Sequence, residues 1–196
     1  MGTRMFAAVY PPEDVREELA EFLDARPGMR WTDPEQMHLT LAFMESVLDR
    51  AVEPLAELMA EVCVGTESFL CGLHGAGAFP HPDRPAVLWL GVEDGADRLT
   101  ALARRLRTAA NRAGTAPDGR AFRPHLTLAR PGRGTNATRW IRVLETFSSR
   151  LWEVTEVHLV ESVLQGHGHR PRHQTVETFT LGRISPLRAG TSAGRP

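Results

Sequence analysis

The chain has 196 residues, of which 42% are hydrophobic and 24% are charged, and its formal net charge is -1. This composition is typical of a globular protein with an apolar core and excludes a disordered chain. All 23 basic residues are arginine. The near-zero net charge excludes the strongly basic surface of a general nucleic-acid coating protein, but it allows a local arginine-lined cleft.

The two cysteines, Cys63 and Cys71, lack the spacing of a zinc site and are too few for a disulfide framework. The apolar stretch over 6–10 runs into two prolines and is far shorter than the core of a secretory signal. No apolar run approaches the roughly 20 residues that cross a bilayer. We therefore expect a soluble, cytoplasmic protein.

Hydrophobic periodicity predicts a mixture of strands and helices. In chain order, the predicted elements are a strand over 6–10, a helix over 15–23, a strand over 37–44, a helix over 52–62, strands over 69–73 and 87–92, a helix over 99–110, a strand over 125–130, a helix over 140–147, and strands over 154–164 and 175–182. The Gly- and Pro-containing segment before residue 87 is predicted to be a turn region. Because strands and helices do not alternate strictly, we expect an α+β fold with antiparallel sheets backed by helices.

One tetrapeptide, His-Leu-Thr-Leu, occurs at residues 38–41 and again at 125–128. Both copies lie in predicted strands, in which successive side chains point to opposite faces. Each copy therefore places two leucines in a core and presents one imidazole and one hydroxyl on the other face. The repetition predicts two similar lobes whose polar pairs meet in a central cleft.

Two imidazoles in one cleft suit general acid–base chemistry, because histidine titrates near neutral pH. In-line displacement at phosphorus needs a base for the incoming oxygen and an acid for the departing one, and His38 and His125 are the candidates. The hydroxyls of Thr40 and Thr127 are suited to the non-bridging phosphate oxygens. A single histidine in a strand is more often a partly buried polar residue than a catalyst. The same histidine and threonine at the same positions of two strand motifs favour one function shared by both copies. This chemistry requires no metal or other cofactor, and none is expected.

The paired His-x-Thr-x motifs resemble those of the two-histidine (2H) phosphoesterase superfamily, specifically the RNA 2′,3′-cyclic phosphodiesterases, also called 2′-5′ RNA ligases. The resemblance covers nearly the whole chain, and the supporting segments are residues 30–31, 75–80, 87–91, 122–130 and 160–164. It implies two pseudo-symmetric lobes of antiparallel β-sheet backed by helices. We expect one bilobal domain over 1–184. The Pro-, Gly-, Arg- and Ser-rich residues 185–196 are expected to form a disordered tail.

The resemblance also implies metal-independent opening of a 2′,3′-cyclic phosphate to a 2′-phosphomonoester, and in some members reversible joining of RNA ends through a 2′-5′ bond. Carried over to this chain, His38 and His125 are the acid–base pair and Thr40 and Thr127 bind the phosphate. Arg130 matches the family's motif arginine and is expected to neutralise the phosphate or contact the RNA backbone.

Two substrate classes and one function without catalysis stay open. The substrate is either RNA with 2′,3′-cyclic phosphate ends, such as tRNA halves, or a small cyclic nucleotide such as an ADP-ribose cyclic phosphate. The same cleft without turnover would be an RNA-end binding module. A monomer is expected, and an ATP-dependent ligase is excluded because the chain has no lysine to adenylate.

Weaker candidates flank the second motif and the first. Arg123 is a candidate phosphate or RNA contact, and Trp31 and Phe122 are candidates for stacking on a base, although aromatic residues near strand ends more often belong to a core.

Segment 166–173 departs from the family pattern, in which a Gly-rich stretch is followed by an aromatic residue, usually tyrosine. Its histidines and arginines are expected to form a flexible basic loop near the RNA and not a metal site, because no acidic or thiolate ligand is adjacent.

Overall fold

The computed structural model describes residues 2–163 and 171–182. The helices are α1 (Glu13–Asp24), α2 (Asp49–Val64), α3 (Ala96–Arg112) and α4 (Thr138–Leu144), and a short 3₁₀ turn covers Pro34–Gln36. The strands are β1 (Thr3–Val9), β2 (Leu39–Val47), β3 (Phe69–Cys71), β4 (Leu73–His81), β5 (Arg84–Val92), β6 (His125–Ala129), β7 (Trp152–Val154), β8 (Glu156–Val163) and β9 (Arg172–Thr180).

Seven strands form one sheet in the order β4-β5-β6-β2-β1-β8-β9, and β3 and β7 pair separately. Every pair of neighbouring strands is antiparallel. α2 packs against α3 and β9, α3 against β2, and α4 against β4, so the main apolar core lies between helices and sheet. The predicted α+β fold with antiparallel sheets backed by helices is confirmed. The two motif-bearing strands, β6 and β2, are neighbours in the middle of the main sheet. The division into two pseudo-symmetric lobes stays a prediction.

The predicted helices form because each carries an apolar stripe at helical spacing. In α1 this stripe is Val15, Leu19 and Leu23, and all three side chains are buried. α3 ends where Gly114 adopts a φ of +78°, a left-handed conformation that glycine reaches without steric penalty. The N–H of Thr115 donates to the carbonyl of Ala110 and closes this helix end.

The turn region predicted before residue 87 is wrong in its extent, because residues 73–81 form the edge strand β4 and the turn covers only Pro82 and Asp83. Glycine and proline are poor strand formers, which hid this strand from a propensity argument. Gly77 is needed there for close packing, since a Cβ atom at this position would overlap the indole ring of Trp89 on β5. The strand therefore depends on a tertiary contact and not on local preference.

Two further boundaries differ from the sequence prediction. The strand expected over 154–164 is divided into β7 and β8 at Thr155. The loop expected over 166–173 is wrong at its end, because Arg172 and His173 already pair with β8. Residues 166–170 and the tail expected over 185–196 lie outside the described residues. Within residues 2–163 and 171–182, no helix has the length and apolar character needed to cross a membrane.

Replacing Gly77 by alanine is expected to destabilise the folded protein by about 1–3 kcal/mol, the usual effect of overpacking a close contact. Gly132→Ala is the matched control, because a Cβ atom at Gly132 meets nothing within 4 Å. Urea denaturation of both variants measures the difference. Equal stability of the two variants would show that β4 tolerates a side chain beneath Trp89.

Candidate active site

The two tetrapeptide motifs meet at the one paired position between β2 and β6, where Leu39 lies opposite Leu126. In an antiparallel ladder this register places His38 across from Thr127 and Thr40 across from His125. Both leucines are buried, at 1% and 0% exposure, while the four polar side chains are half-buried on the other face. The histidines are therefore diagonal neighbours related by a local two-fold arrangement, and diagonal partners in a sheet are about 7–8 Å apart.

Each histidine is oriented by a backbone carbonyl two residues earlier. Nδ1 of His38 donates to the carbonyl of Gln36 at 2.6 Å, and Nδ1 of His125 donates to the carbonyl of Arg123 at 2.7 Å. A carbonyl oxygen only accepts hydrogen bonds, so each Nδ1 carries a proton. In the neutral ring Nε2 is then the unprotonated atom, available to accept a proton and, once charged, to donate one.

Aromatic rings enclose His38. Phe6 stacks on its ring at a centroid distance of 4.8 Å, and Tyr10 and His173 approach at 5.6 Å and 5.4 Å. Phe6 lies in β1, Tyr10 directly follows that strand, and His173 lies in β9. These contacts remove much of the solvent that would stabilise a charged imidazole.

His125 has a different set of neighbours. Phe79 of β4 meets its ring edge-on at 5.1 Å, and Trp89 of β5 lies at 6.2 Å. The guanidinium of Arg123 lies 4.4 Å from the centre of the Trp89 ring. This half of the cleft therefore combines aromatic packing with a fixed cation.

Burial and positive charge both favour neutral imidazoles. The pKa of His38 is lowered from 6.5 to about 4, mainly by burial and also by repulsion from His173, His125 and Arg130, while the hydrogen bond to the Gln36 carbonyl opposes the change. The pKa of His125 is also lowered, first by burial and then by Arg123 and Arg130. An anionic ligand would reverse the electrostatic part of these shifts.

The structure brings some of the predicted residues to the histidines and places others elsewhere. Arg130 acts electrostatically on both His38 and His125, and Arg123 acts on His125. Trp31 instead packs edge-on against Trp140 at 5.3 Å and donates from Nε1 to the Arg26 carbonyl. Phe122 is half-buried beside a groove along α3. A role of Trp31 or Phe122 in base stacking stays a prediction.

Sequence reasoning missed the aromatic residues around the histidines and the third imidazole, namely Phe6, Tyr10, Phe79, Trp89 and His173. β1 is buried on both faces through Met5–Val9. Its sequence therefore shows no alternation of polar and apolar residues that would predict which face lies toward the cleft. His173 lies in the segment that the sequence predicts to be a loop. Among residues 2–163 and 171–182, no group of three or more His, Cys, Asp or Glu side chains is arranged to hold a metal ion.

The low pKa of His38 predicts an acid-sensitive fold. Since the pKa is about 4 in the folded protein and 6.5 ordinarily, the unfolded chain binds more protons between these values. The free energy of unfolding therefore falls as the pH drops from 6.5 to 4, by up to about 3 kcal/mol. Urea denaturation of the wild type and of His38→Gln over this range measures the difference, because glutamine does not titrate. Parallel pH dependence of the two proteins would contradict the prediction.

Proteins from several organisms are similar to this chain over most of its length. The family model described as the 2′-5′ RNA ligase superfamily matches residues 11–165. A protein of Archaeoglobus fulgidus named RNA 2′,3′-cyclic phosphodiesterase is 30% identical over 180 residues, which cover 90% of this chain and 99% of the relative. A protein of Thermus thermophilus with the same name is 33% identical over 190 residues, covering 91% of this chain and 90% of the relative.

Solved structures agree in fold. A crystal structure from Thermus thermophilus has a TM-score of 0.75 and 28% identity, covering 93% of this chain and 100% of the other. E. coli LigT complexed with 3′-AMP has a TM-score of 0.72 and 26% identity, covering 92% of this chain and 99% of the other. The resemblance seen in the paired motifs is thus confirmed over most of the sequence, and the chain belongs to the 2′-5′ RNA ligase superfamily.

Proposed function

We propose that this protein is an RNA 2′,3′-cyclic phosphodiesterase that opens a terminal 2′,3′-cyclic phosphate to a 2′-phosphomonoester. The observation that carries this proposal is the diagonal placement of two oriented histidines across the β2–β6 junction. Relatives named for this activity cover most of the chain and support it. Joining of RNA ends through a 2′-5′ bond is the same ring opening with the 5′ hydroxyl of a second RNA end in place of water, and its reversal cleaves that bond.

The reaction needs one neutral and one charged imidazole. The neutral ring accepts a proton from water through Nε2 as the water oxygen attacks phosphorus. The charged ring donates its Nε2 proton to the ribose 3′ oxygen as the bond from that oxygen to phosphorus breaks. A spacing of about 7–8 Å between diagonal positions leaves room for phosphorus between His38 and His125. The products are a 2′-phosphate and a free 3′ hydroxyl.

The hydroxyls of Thr40 and Thr127 and the guanidinium of Arg130 bind the phosphate in this proposal. The hydroxyls of Thr40 and Thr127 lie on the same face as the histidines and donate to the non-bridging oxygens. Such donors contribute most when they point to where negative charge develops in the transition state. Arg130 supplies a permanent positive charge beside both histidines, and Arg123 adds a second one on the His125 side.

The substrate class is RNA ends, with small cyclic nucleotides as the second candidate. The second candidate is favoured by structures of the related E. coli LigT, which include complexes with 3′-AMP, ATP and NADP+. Metal independence, a monomeric state, a cytoplasmic location and tRNA halves as the RNA are parts of the proposal that rest on the sequence argument.

Replacing either His38 or His125 by alanine is expected to lower kcat/KM by about 10²- to 10⁴-fold, because each removes a proton-transfer group. The assay follows a short RNA ending in a 2′,3′-cyclic phosphate, in the presence of a chelator, and identifies the 2′-phosphate by its phosphatase and nuclease sensitivity. The wild-type pH profile should be bell-shaped.

His81→Ala is the control, since this exposed histidine at the end of β4 contacts Asp83 and none of the cleft histidines. Full activity in either cleft variant would overturn the proposed acid–base pair. Binding without turnover in the wild type would identify an RNA-end binding module instead.

An RNA enzyme should gain from a longer substrate. We expect kcat/KM to rise by at least about tenfold from a cyclic mononucleotide to an oligonucleotide at low salt, and this gain to shrink as salt increases, because phosphate contacts release counterions. A length series assayed at several salt concentrations measures both effects. Equal turnover of all lengths, insensitive to salt, would assign the site to small cyclic nucleotides.

A further inference from the structure

A third histidine lies beside the proposed acid–base pair. His173 approaches His38 at a ring centroid distance of 5.4 Å and Phe6 at 5.0 Å, in both cases edge-on. It reaches this position because β9 pairs with β8, with His173 opposite Ser162. The sequence predicts a flexible basic loop over 166–173, but the strand fixes the last residue of this segment against the cleft.

The Nδ1 atom of His173 is buried and has no hydrogen-bond partner in the described parts of the chain. His38 and His125 differ in this respect, since their Nδ1 atoms both donate to backbone carbonyls. A buried polar atom without a partner is unfavourable and rare in folded proteins. Ring packing therefore holds His173 in place, and fold stability gives no reason for an imidazole here.

The charged groups around these rings are cationic. His125 and Arg130 act on His38 from β6 and its end, and Arg4 of β1 acts on His173. Tyr10, the residue after β1, also contacts His38. Within residues 2–163 and 171–182, none of the three cleft histidines forms an ion pair with a carboxylate. His158, further along β8, pairs with Glu156 and packs on Tyr10.

We propose that His173 is a positioning residue that holds the His38 imidazole against Phe6 and, when protonated, opposes the protonation of His38. The packing follows from the edge-on contacts with both rings. The electrostatic effect follows from proximity, because a protonated His173 repels a proton on His38 more strongly than the other cations of the cleft do. Burial and the charge of Arg4 lower the pKa of His173 itself, so this repulsion acts in the acidic range in which His38 titrates. This inference rests on the proposed catalytic role of His38.

Two substitutions separate the two effects. His173→Phe keeps a ring against Phe6 and His38 but removes the charge, whereas His173→Ala removes both. In His173→Phe we expect the NMR titration midpoint of His38 to rise by about half a pH unit, the repulsion of unit charges roughly 5 Å apart in an aqueous dielectric. Its kcat at neutral pH should stay within about threefold of the wild type. In His173→Ala we expect kcat to fall by about tenfold at nearly constant KM, because the His38 ring loses its orientation.

The control is His158→Phe, a half-buried histidine of the same sheet that contacts Tyr10 and not His38. An unchanged His38 midpoint in His173→Phe, or an equal rise in His158→Phe, would overturn the inference. The titration needs no turnover and is read on folded protein, so it decides the His173 effect even if His173→Ala fails to fold. Absence of cyclic phosphodiesterase activity in the wild type would instead overturn the proposed function.

Discussion

The candidate site depends on one backbone pairing, that of Leu39 with Leu126 at the junction of β2 and β6. Strand side chains alternate, so burying these two leucines on the helix side forces the neighbouring histidines and threonines onto the open face. A slip of either strand by one residue would send the imidazole of that strand into the apolar core and its leucines into the cleft. The hydrophobic effect that stabilises the fold therefore also fixes the register of the proposed chemistry.

The surroundings of the two cleft histidines favour their uncharged forms in the free protein. Burial disfavours charge on His38 and His125, and the arginines nearby disfavour it again. In the proposed mechanism, a phosphate group between the rings supplies negative charge, which favours the protonated form of one imidazole. Binding then prepares the acid that the reaction needs, and the free protein avoids holding two positive charges side by side.

The sequence predicts the parts of this site that follow from local periodicity. The repeated tetrapeptide identifies His38, Thr40, His125 and Thr127, and the apolar stripes identify the four helices. It does not predict β4, because Gly77 fits that strand only through contact with Trp89 on its neighbour. It also misses Phe6 and His173, which reach His38 through pairings between strands distant in sequence. Side chains selected by tertiary contact leave no periodic signal.

The two motifs are alike in sequence, yet the reaction requires them to differ, since one ring must accept a proton while the other donates one. The difference lies in their surroundings. His38 is enclosed by Phe6, Tyr10 and a third imidazole, whereas His125 is bordered by Phe79, Trp89 and the cation of Arg123. His173 comes from β9, the strand at the outer edge of one half of the sheet, and the half containing His125 ends at β4. The extra edge strand thus breaks the local two-fold symmetry at His38, whose pKa is lowered to about 4, first by burial and also by the charge of His173. Two motifs with the same sequence therefore lie in unequal surroundings.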